Sequence, residues 1–289
     1  MTQTLPPEGR AAAQRPGGGL SPRPRLMGIV NVTPDSFSDG GRFLDPEAAL
    51  AHTRRLIAEG ADVLDIGGES TRPRAVPVAQ ADEIARVVPL IEAIRHESSI
   101  PISVDTMKPA VARAAVMAGA TMWNDVTALR FSPDSLATAA ELRCEVVLMH
   151  MQGEPRTMQA APRYDDVVAE VADFLADRAD VAIAAGVPSD RIWLDPGIGF
   201  GKTADHSVAL LRHLDRIVAL GFPVLVGVSR KSAIARIAGD TSREDRRLGG
   251  SIAAAVAAAS AGATMLRVHD VAETRQALAV AAAIVQSEP

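Results

Sequence analysis

The chain has 289 residues, 47% hydrophobic and 22% charged, with a mean hydropathy of +0.11; this is the balance of a globular protein able to bury a large core, and it excludes disorder or a membrane bundle as the bulk state. A net charge of −5 with 3% aromatic residues supplies neither the clustered positive charge nor the stacking platforms of a nucleic-acid binder. The single cysteine, Cys144, cannot form an internal disulfide and has no cysteine neighbour for a zinc site, so a reducing cytosol and a small buried thiol are expected.

Residues 1–25 (PPEGR, QRPGGGL, SPRPR) are rich in Pro, Gly and Arg without an apolar segment, which predicts a disordered leader rather than a signal peptide. From residue 26 onward short β-branched runs alternate with alanine-rich stretches. The runs are LMGIV (26–30), DVLDI (62–66), PISVD (101–105), TMWND (121–125), EVVLM (145–149), RIWLD (191–195), PVLVGV (223–228) and TMLRV (264–268). Helices are predicted over 46–59, 82–95, 109–117, 133–142, 165–185, 206–219, 249–261 and 271–285. Several begin at proline or an acidic residue and stop at glycine, as helix boundaries do. Eight such units predict a single-domain (β/α)8 TIM barrel over 26–289, with an open doubly wound sheet as the alternative. The longest apolar stretch, 251–266, is mostly alanine and too short to span a bilayer.

A barrel places its chemistry on the loops after the strands. The opening loop, within MGIVNVTPDSFSDGG (27–41), follows the first run from Asn31; GGESTRPR (67–74) follows the second. Asp105 and Thr106 end the third, Asn124 and Asp125 the fourth, and His150 and Met151 follow the fifth. Asp195 and PGIGFGK (196–202) follow the sixth, SRKS (229–232) the seventh, and Arg267, His269 and Asp270 the eighth. A turn or helix-capping role accounts for any one of these. Carboxylates and an amide at three exits with cations at two others are better explained as a site. Arg72, Lys231, Arg267 and His269 imply an anionic substrate, and the exits of strands seven and eight commonly form a phosphate site. Asp105, Asn124 and Asp195 suit a flat heterocycle carrying N–H groups, best one with a guanidine-like edge. A metal reading of those three lacks a His or Glu partner. GFGK lacks the Walker spacing, His150 reads as a structural hydrogen-bonding residue, and neither Ser70 nor Ser229 has triad partners. A Schiff-base role for Lys231 stays open.

The segments NVTPDSFSDGG, DIGGESTRP, SVDT, NDV, DPGIGFGK, GVSRKS and LRVHDV, in this order and on the expected loops, resemble the dihydropteroate synthase family of pterin-binding enzymes over nearly all of 26–285. The resemblance implies a (β/α)8 transferase of folate biosynthesis that joins 6-hydroxymethyl-7,8-dihydropterin diphosphate to 4-aminobenzoate, with diphosphate leaving before the amine attacks. It implies that Asp105, Asn124, Asp195 and Lys231 hold the pterin. Asn31, Arg72, Arg267 and His269 would hold the diphosphate, with Asn31 also contacting Mg2+, the implied cofactor. Asp35, Phe37, Thr71 and Pro73 would surround the aminobenzoate, with Ser232 at a helix N-terminus near its carboxylate. Lys231, Arg267 and Asp35 are the residues expected to act in catalysis.

The resemblance further implies a cytoplasmic homodimer, inhibition by sulfonamides, and an opening loop that acts as a mobile lid rooted at Asn31. Arg74 stands where the family usually has glycine, and Trp123 is bulkier than usual. Lys231→Ala and Arg267→Ala are each expected to cut turnover by orders of magnitude with the fold intact. The alternatives are a methyltetrahydrofolate-dependent methyltransferase, which needs no diphosphate ligands, and a non-catalytic pterin-binding paralogue.

Overall fold

The computed structural model describes residues 23–33, 46–70, 75–154, 157–239 and 244–286. Asp35, Phe37, Thr71, Arg72, Pro73 and Arg74, the expected lid beyond residue 33, and the leader up to residue 22 lie outside the described residues. The eight apolar runs form strands β1 (Arg25–Asn31), β2 (Val63–Gly67), β3 (Ile102–Asp105), β4 (Met122–Asp125), β5 (Glu145–Met149), β6 (Ile192–Asp195), β7 (Leu225–Gly227) and β8 (Met265–Val268). Helices α1 (Pro46–Glu59), α2 (Gln80–Glu97), α3 (Pro109–Met117), α4 (Ser135–Leu142), α5 (Val167–Ala184), α6 (Ala204–Arg212), α7 (Leu214–Val218), α8 (Ser232–Ala238), α9 (Leu248–Ser260) and α10 (Val271–Gln286) lie between and after them.

All strand pairs are parallel, in the order β6-β5-β4-β3-β2-β1-β8-β7. The two ends of that order meet. Leu194 of β6 bridges Val224 in parallel and donates from its backbone N to the Pro223 carbonyl at 3.0 Å. The sheet is therefore a barrel, and the open doubly wound alternative falls.

Several boundaries differ from the sequence reading for local reasons. β1 begins at Arg25, and Arg23 donates to both carboxylate oxygens of Asp62 at 2.9 Å, so the last residues assigned to the leader belong to the barrel. The helix expected over 206–219 is two, α6 and α7, broken at His213 (φ −113, ψ 32). α6 starts at Ala204 because Thr203 caps it, its hydroxyl accepting from the His206 N–H at 3.1 Å. α5 starts at Val167 because the Asp166 carboxylate accepts from the N–H groups of Val168 and Ala169.

The core has two layers. The larger packs the outer faces of the strands against the helices and includes Trp123, fully buried, whose indole N–H donates to the Thr106 carbonyl at 2.8 Å. Its bulk is thus absorbed away from the barrel interior. The smaller layer fills the inside of the barrel with Met27, Val63, Met122, Val147, Trp193, Leu225 and Met265. Cys144 is buried, and burial pushes its thiol up to about 11, which makes it an inert packing residue.

Candidate active site

The two-residue period of a strand builds the site directly on that floor. Two positions beyond Val63 is Asp65; two beyond Met122 is Asn124; two beyond Trp193 is Asp195; two beyond Met265 is Arg267. Register adds Asp105, opposite Asn124 on one side and Gly67 on the other. An apolar layer is therefore overlaid by a polar one.

Arg267 ties this layer together. Its Nε donates to Asp65 Oδ2 at 2.5 Å and its Nη2 to Asp105 Oδ2 at 2.7 Å. Burial pulls the guanidinium's pKa down, but Asp65 and Asp105 outweigh it and the net shift is upward, so the arginine stays charged. Asn124 Nδ2 lies 3.5 and 3.4 Å from the two oxygens of Asp65. Asp105 Oδ1 is buried with no partner among the described residues. Burial raises the pKa of Asp105 against the pull of Arg267, with the charges of Asp65, Glu83 and Asp125 adding to the rise. Asp195 is pushed up to about 6, mainly by burial, although its Oδ1 accepts from the Gly197 N–H at 2.7 Å and Lys231, Lys202 and Arg267 attract its charge.

The loop after β6 reaches this layer because glycines let it lie on the loop after β5. Gly197 has φ +64, and a Cβ there would stand 2.0 Å from the His150 carbonyl oxygen. Lys202, 3% exposed, pins the same loop from beneath. Its Nζ is 2.8 Å from His150 Nδ1 and donates to the carbonyls of Phe200 at 3.1 Å and His150 at 3.3 Å. Burial pulls Lys202 down to about 7. Burial, then the charges of Lys202 and Arg130, hold His150 near 3, so it stays neutral and structural. Phe200 in turn lies under Lys231, whose Nζ is 4.1 Å from the ring centroid. Val126, Met149, Met151 and Met158, with Met107 and Phe200 against them, make an apolar wall.

The exits of β7 and β8 lock to each other. Arg230, in the left-handed region at φ +56, donates from Nε and Nη2 to Asp270 at 3.1 and 2.5 Å. Ser229 Oγ accepts from the His269 backbone N–H at 3.2 Å and lies 2.9 Å from its Nδ1. Lys231, after β7, and His269, two residues after Arg267, thereby lie on neighbouring loops, and Ser232 opens α8 with its side chain exposed. Asn31 ends β1 opposite Gly67.

Of the expected residues, Asp105, Asn124 and Asp195 are buried in one layer with the half-buried Arg267; Asn31, Lys231, Ser232 and His269 sit on strand ends and exit loops of the same rim. The sequence reading missed Asp65 and Lys202. It also missed Lys108, which pairs with Glu69 and with the buried Glu83, the latter at 2.5 Å, and so ties the root of the second loop to α2. Asp65 could have been found from the period-two step after Val63, but an inventory of strand exits passes over a residue inside the strand. Among the described residues no group of three or more His, Cys, Asp or Glu could hold a metal ion, and no helix is long and apolar enough to cross a membrane.

Comparison with known proteins places this geometry among enzymes. Residues 27–269 match the family model described as pterin binding enzyme. The Haemophilus influenzae dihydropteroate synthase is 46% identical over 257 residues, covering 89% of this chain and 92% of that protein. A Xanthomonas albilineans dihydropteroate synthase structure with 4-aminobenzoic acid superposes with a TM-score of 0.86 at 54% identity, covering 92% of this chain and 94% of that one. A second structure of the Xanthomonas enzyme, with 7,8-dihydropteroate, gives 0.83 at 52% identity over 92% and 95%.

Proposed function

The chain belongs to the pterin-binding enzyme family, and from that premise we propose that it is a transferase of folate biosynthesis, condensing 6-hydroxymethyl-7,8-dihydropterin diphosphate with 4-aminobenzoate to give 7,8-dihydropteroate and diphosphate. The observation that carries the reading is the buried polar layer: Asp105 Oδ1 is an acceptor without a partner among the described residues, opposite Asn124 in the sheet, and a second buried carboxylate, Asp195, ends β6 on the same rim. A pterin's aminopyrimidine edge is a row of N–H donors, and an unmet buried acceptor is costly until such a donor arrives.

In this reading Asp105, Asn124 and Asp195 hold the ring edge-on, and the methionine and Phe200 wall packs its face. Lys231 completes the pterin contacts. Arg267, His269, Arg72 and Asn31 take the diphosphate. The bond between the exocyclic carbon and the diphosphate oxygen breaks first, and its electrons leave on oxygen. Charge therefore separates, and the fixed cations Arg267 and Lys231 stabilise the departing anion in a site shielded from water. The amine of aminobenzoate, held by Phe37, Thr71, Pro73 and Ser232, then attacks the carbon and loses a proton. No protein nucleophile is required. Asp35 acts with Lys231 and Arg267 in this step.

Mg2+ fits the donor set as a substrate-borne ion. A single amide oxygen at Asn31 is no cage, and a hard cation that keeps several waters needs few protein ligands when diphosphate oxygens are present. When bound, it would neutralise charge on the leaving diphosphate. The reading extends to a cytoplasmic homodimer. Val280 and Ile284, four residues apart on α10, are 55% and 71% exposed, and Ile237 on α8 is 61% exposed, which is apolar surface suited to a second copy.

The test is diphosphate release from the dihydropterin diphosphate with and without 4-aminobenzoate. Aminobenzoate-dependent release with formation of dihydropteroate is expected. Pterin binding without that release would favour a non-catalytic binder, and methyl transfer from a methyl-folate would favour the methyltransferase.

A further inference from the structure

We propose that Asp65 is a positioning residue of the site, setting the guanidinium of Arg267 and the amide of Asn124 before any ligand arrives. The inference rests on the pterin site proposed above. Asp65 lies inside β2, fully buried, opposite Ile29 on one side and Ser103 on the other, so it belongs to neither a loop nor a cap. Its partners come from strands far away in sequence: Arg267 Nε at 2.5 Å and Asn124 Nδ2 at 3.4 Å.

Each contact removes one freedom that a ligand would otherwise have to freeze. A guanidinium held by a single carboxylate can swing about that contact. Held at Nε by Asp65 and at Nη2 by Asp105, from two different strands, its plane is fixed. Nη1 then has no partner among the described residues and is the donor left for an anion. An amide whose Nδ2 is turned to a carboxylate presents Oδ1 on its other side, so Asn124 offers an acceptor rather than a donor. This orientation selects an N–H edge and rejects a carbonyl.

Asp65 also divides the work between the carboxylates. Because it shares Arg267, Asp105 commits only Oδ2 to the arginine and keeps Oδ1 without a partner among the described residues. A buried carboxylate that only balanced Arg267 would be redundant, since Asp105 already does so, and a second buried charge is a poor way to stabilise a barrel.

The groups whose charges act on Asp105 are Arg267 from β8, Asp65 from β2, Glu83 from α2 and Asp125 from β4. Of these Asp65 raises its proton affinity, so removing that charge should lower it.

The experiment compares wild type with Asp65→Asn, which keeps the side chain's shape and removes its charge. Measurements are KM for each substrate, the Kd of a pterin lacking diphosphate by calorimetry, and the pH profile of kcat/KM. The expected result is at least a tenfold rise in the pterin Kd and in KM for the dihydropterin diphosphate. KM for aminobenzoate should stay within about threefold, and the acid limb of the profile should move to lower pH. Should Asp65→Asn not fold, Asp65→Glu carries the same comparison, with the weakened pterin binding but an unmoved acid limb, since the charge is kept. A variant of lowered melting temperature with wild-type pterin Kd and pH profile would show a structural ion pair only and overturn the inference. Failure of wild type to bind pterin and release diphosphate would instead overturn the functional reading, and this inference with it.

Discussion

Replacing Arg267 with alanine leaves two carboxylates in the barrel interior without their cation. Asp65 is 0% and Asp105 7% exposed, and the lost contacts are at 2.5 and 2.7 Å. Removing one partner of a buried pair costs about 3–5 kcal/mol, because the charge left behind stays desolvated. In a domain of this size each kcal/mol lowers Tm by about 2–4 °C, so a drop of roughly 6–20 °C is expected. The geometry thus revises the expectation that this substitution would spare the fold.

The size of the drop should depend on pH. Arg267 opposes the upward shift of Asp105, so without it the native carboxyl's pKa rises further above its unfolded value. The native variant then binds more protons than the unfolded chain as pH rises from about 4 through the neutral range, and its stability falls over that window. The deficit relative to wild type should therefore be largest near pH 8 and shrink toward pH 5. Calorimetric melting of both proteins at four pH values across that range measures it. Equal Tm within 2 °C at pH 8, or a deficit that grows toward acid, would refute the argument that the arginine neutralises buried carboxylates.

Lys231→Ala should behave oppositely. Its Nζ rests on a ring face, a contact of about 0.5–2 kcal/mol, so Tm should move by only a few degrees while steady-state diphosphate release falls by orders of magnitude. Gly197→Ala places a Cβ 2.0 Å from the His150 oxygen at φ +64; the left-handed conformation alone costs about 1–2 kcal/mol, and the displaced loop should weaken pterin binding by calorimetry. Lys202 is depressed to about 7. Between that value and its unfolded pKa of roughly 10.4 the native state binds fewer protons, so burial of Lys202 costs most at and below neutral pH. The Tm difference of Lys202→Met minus wild type should accordingly become more positive as pH falls from 10 to 7, and a difference independent of pH would show that Lys202 is not titrating there.

The barrel and half of the site were legible in the sequence because the signals are local. Strand runs and alanine-rich helices, several with glycine stops, repeat eight times within windows of a few residues; Asp105 and Asp195 each close a run, and Asn124 is the last but one of its own. Local signals also misplaced some boundaries. The break at His213 and the Thr203 cap depend on how one turn bonds to the next, which composition does not record.

What only the tertiary structure decided is which charges meet. Arg267 stands 202 residues from Asp65 and 162 from Asp105, and no spacing rule links them. Along the sheet Arg267 pairs with Met27, which pairs with Val63, while Asp65 pairs with Ser103 and Asp105 with Gly67. The three polar residues are thus offset by two positions from strand to strand, and the tilt of the strands in the barrel brings them together above the apolar floor. The chain determined that polar residues would gather at strand ends. Barrel closure determined that Asp65, inside a strand, would be sealed in with an arginine, because tilted and staggered strands bring residues together by their height along the barrel axis and not by their distance along the chain.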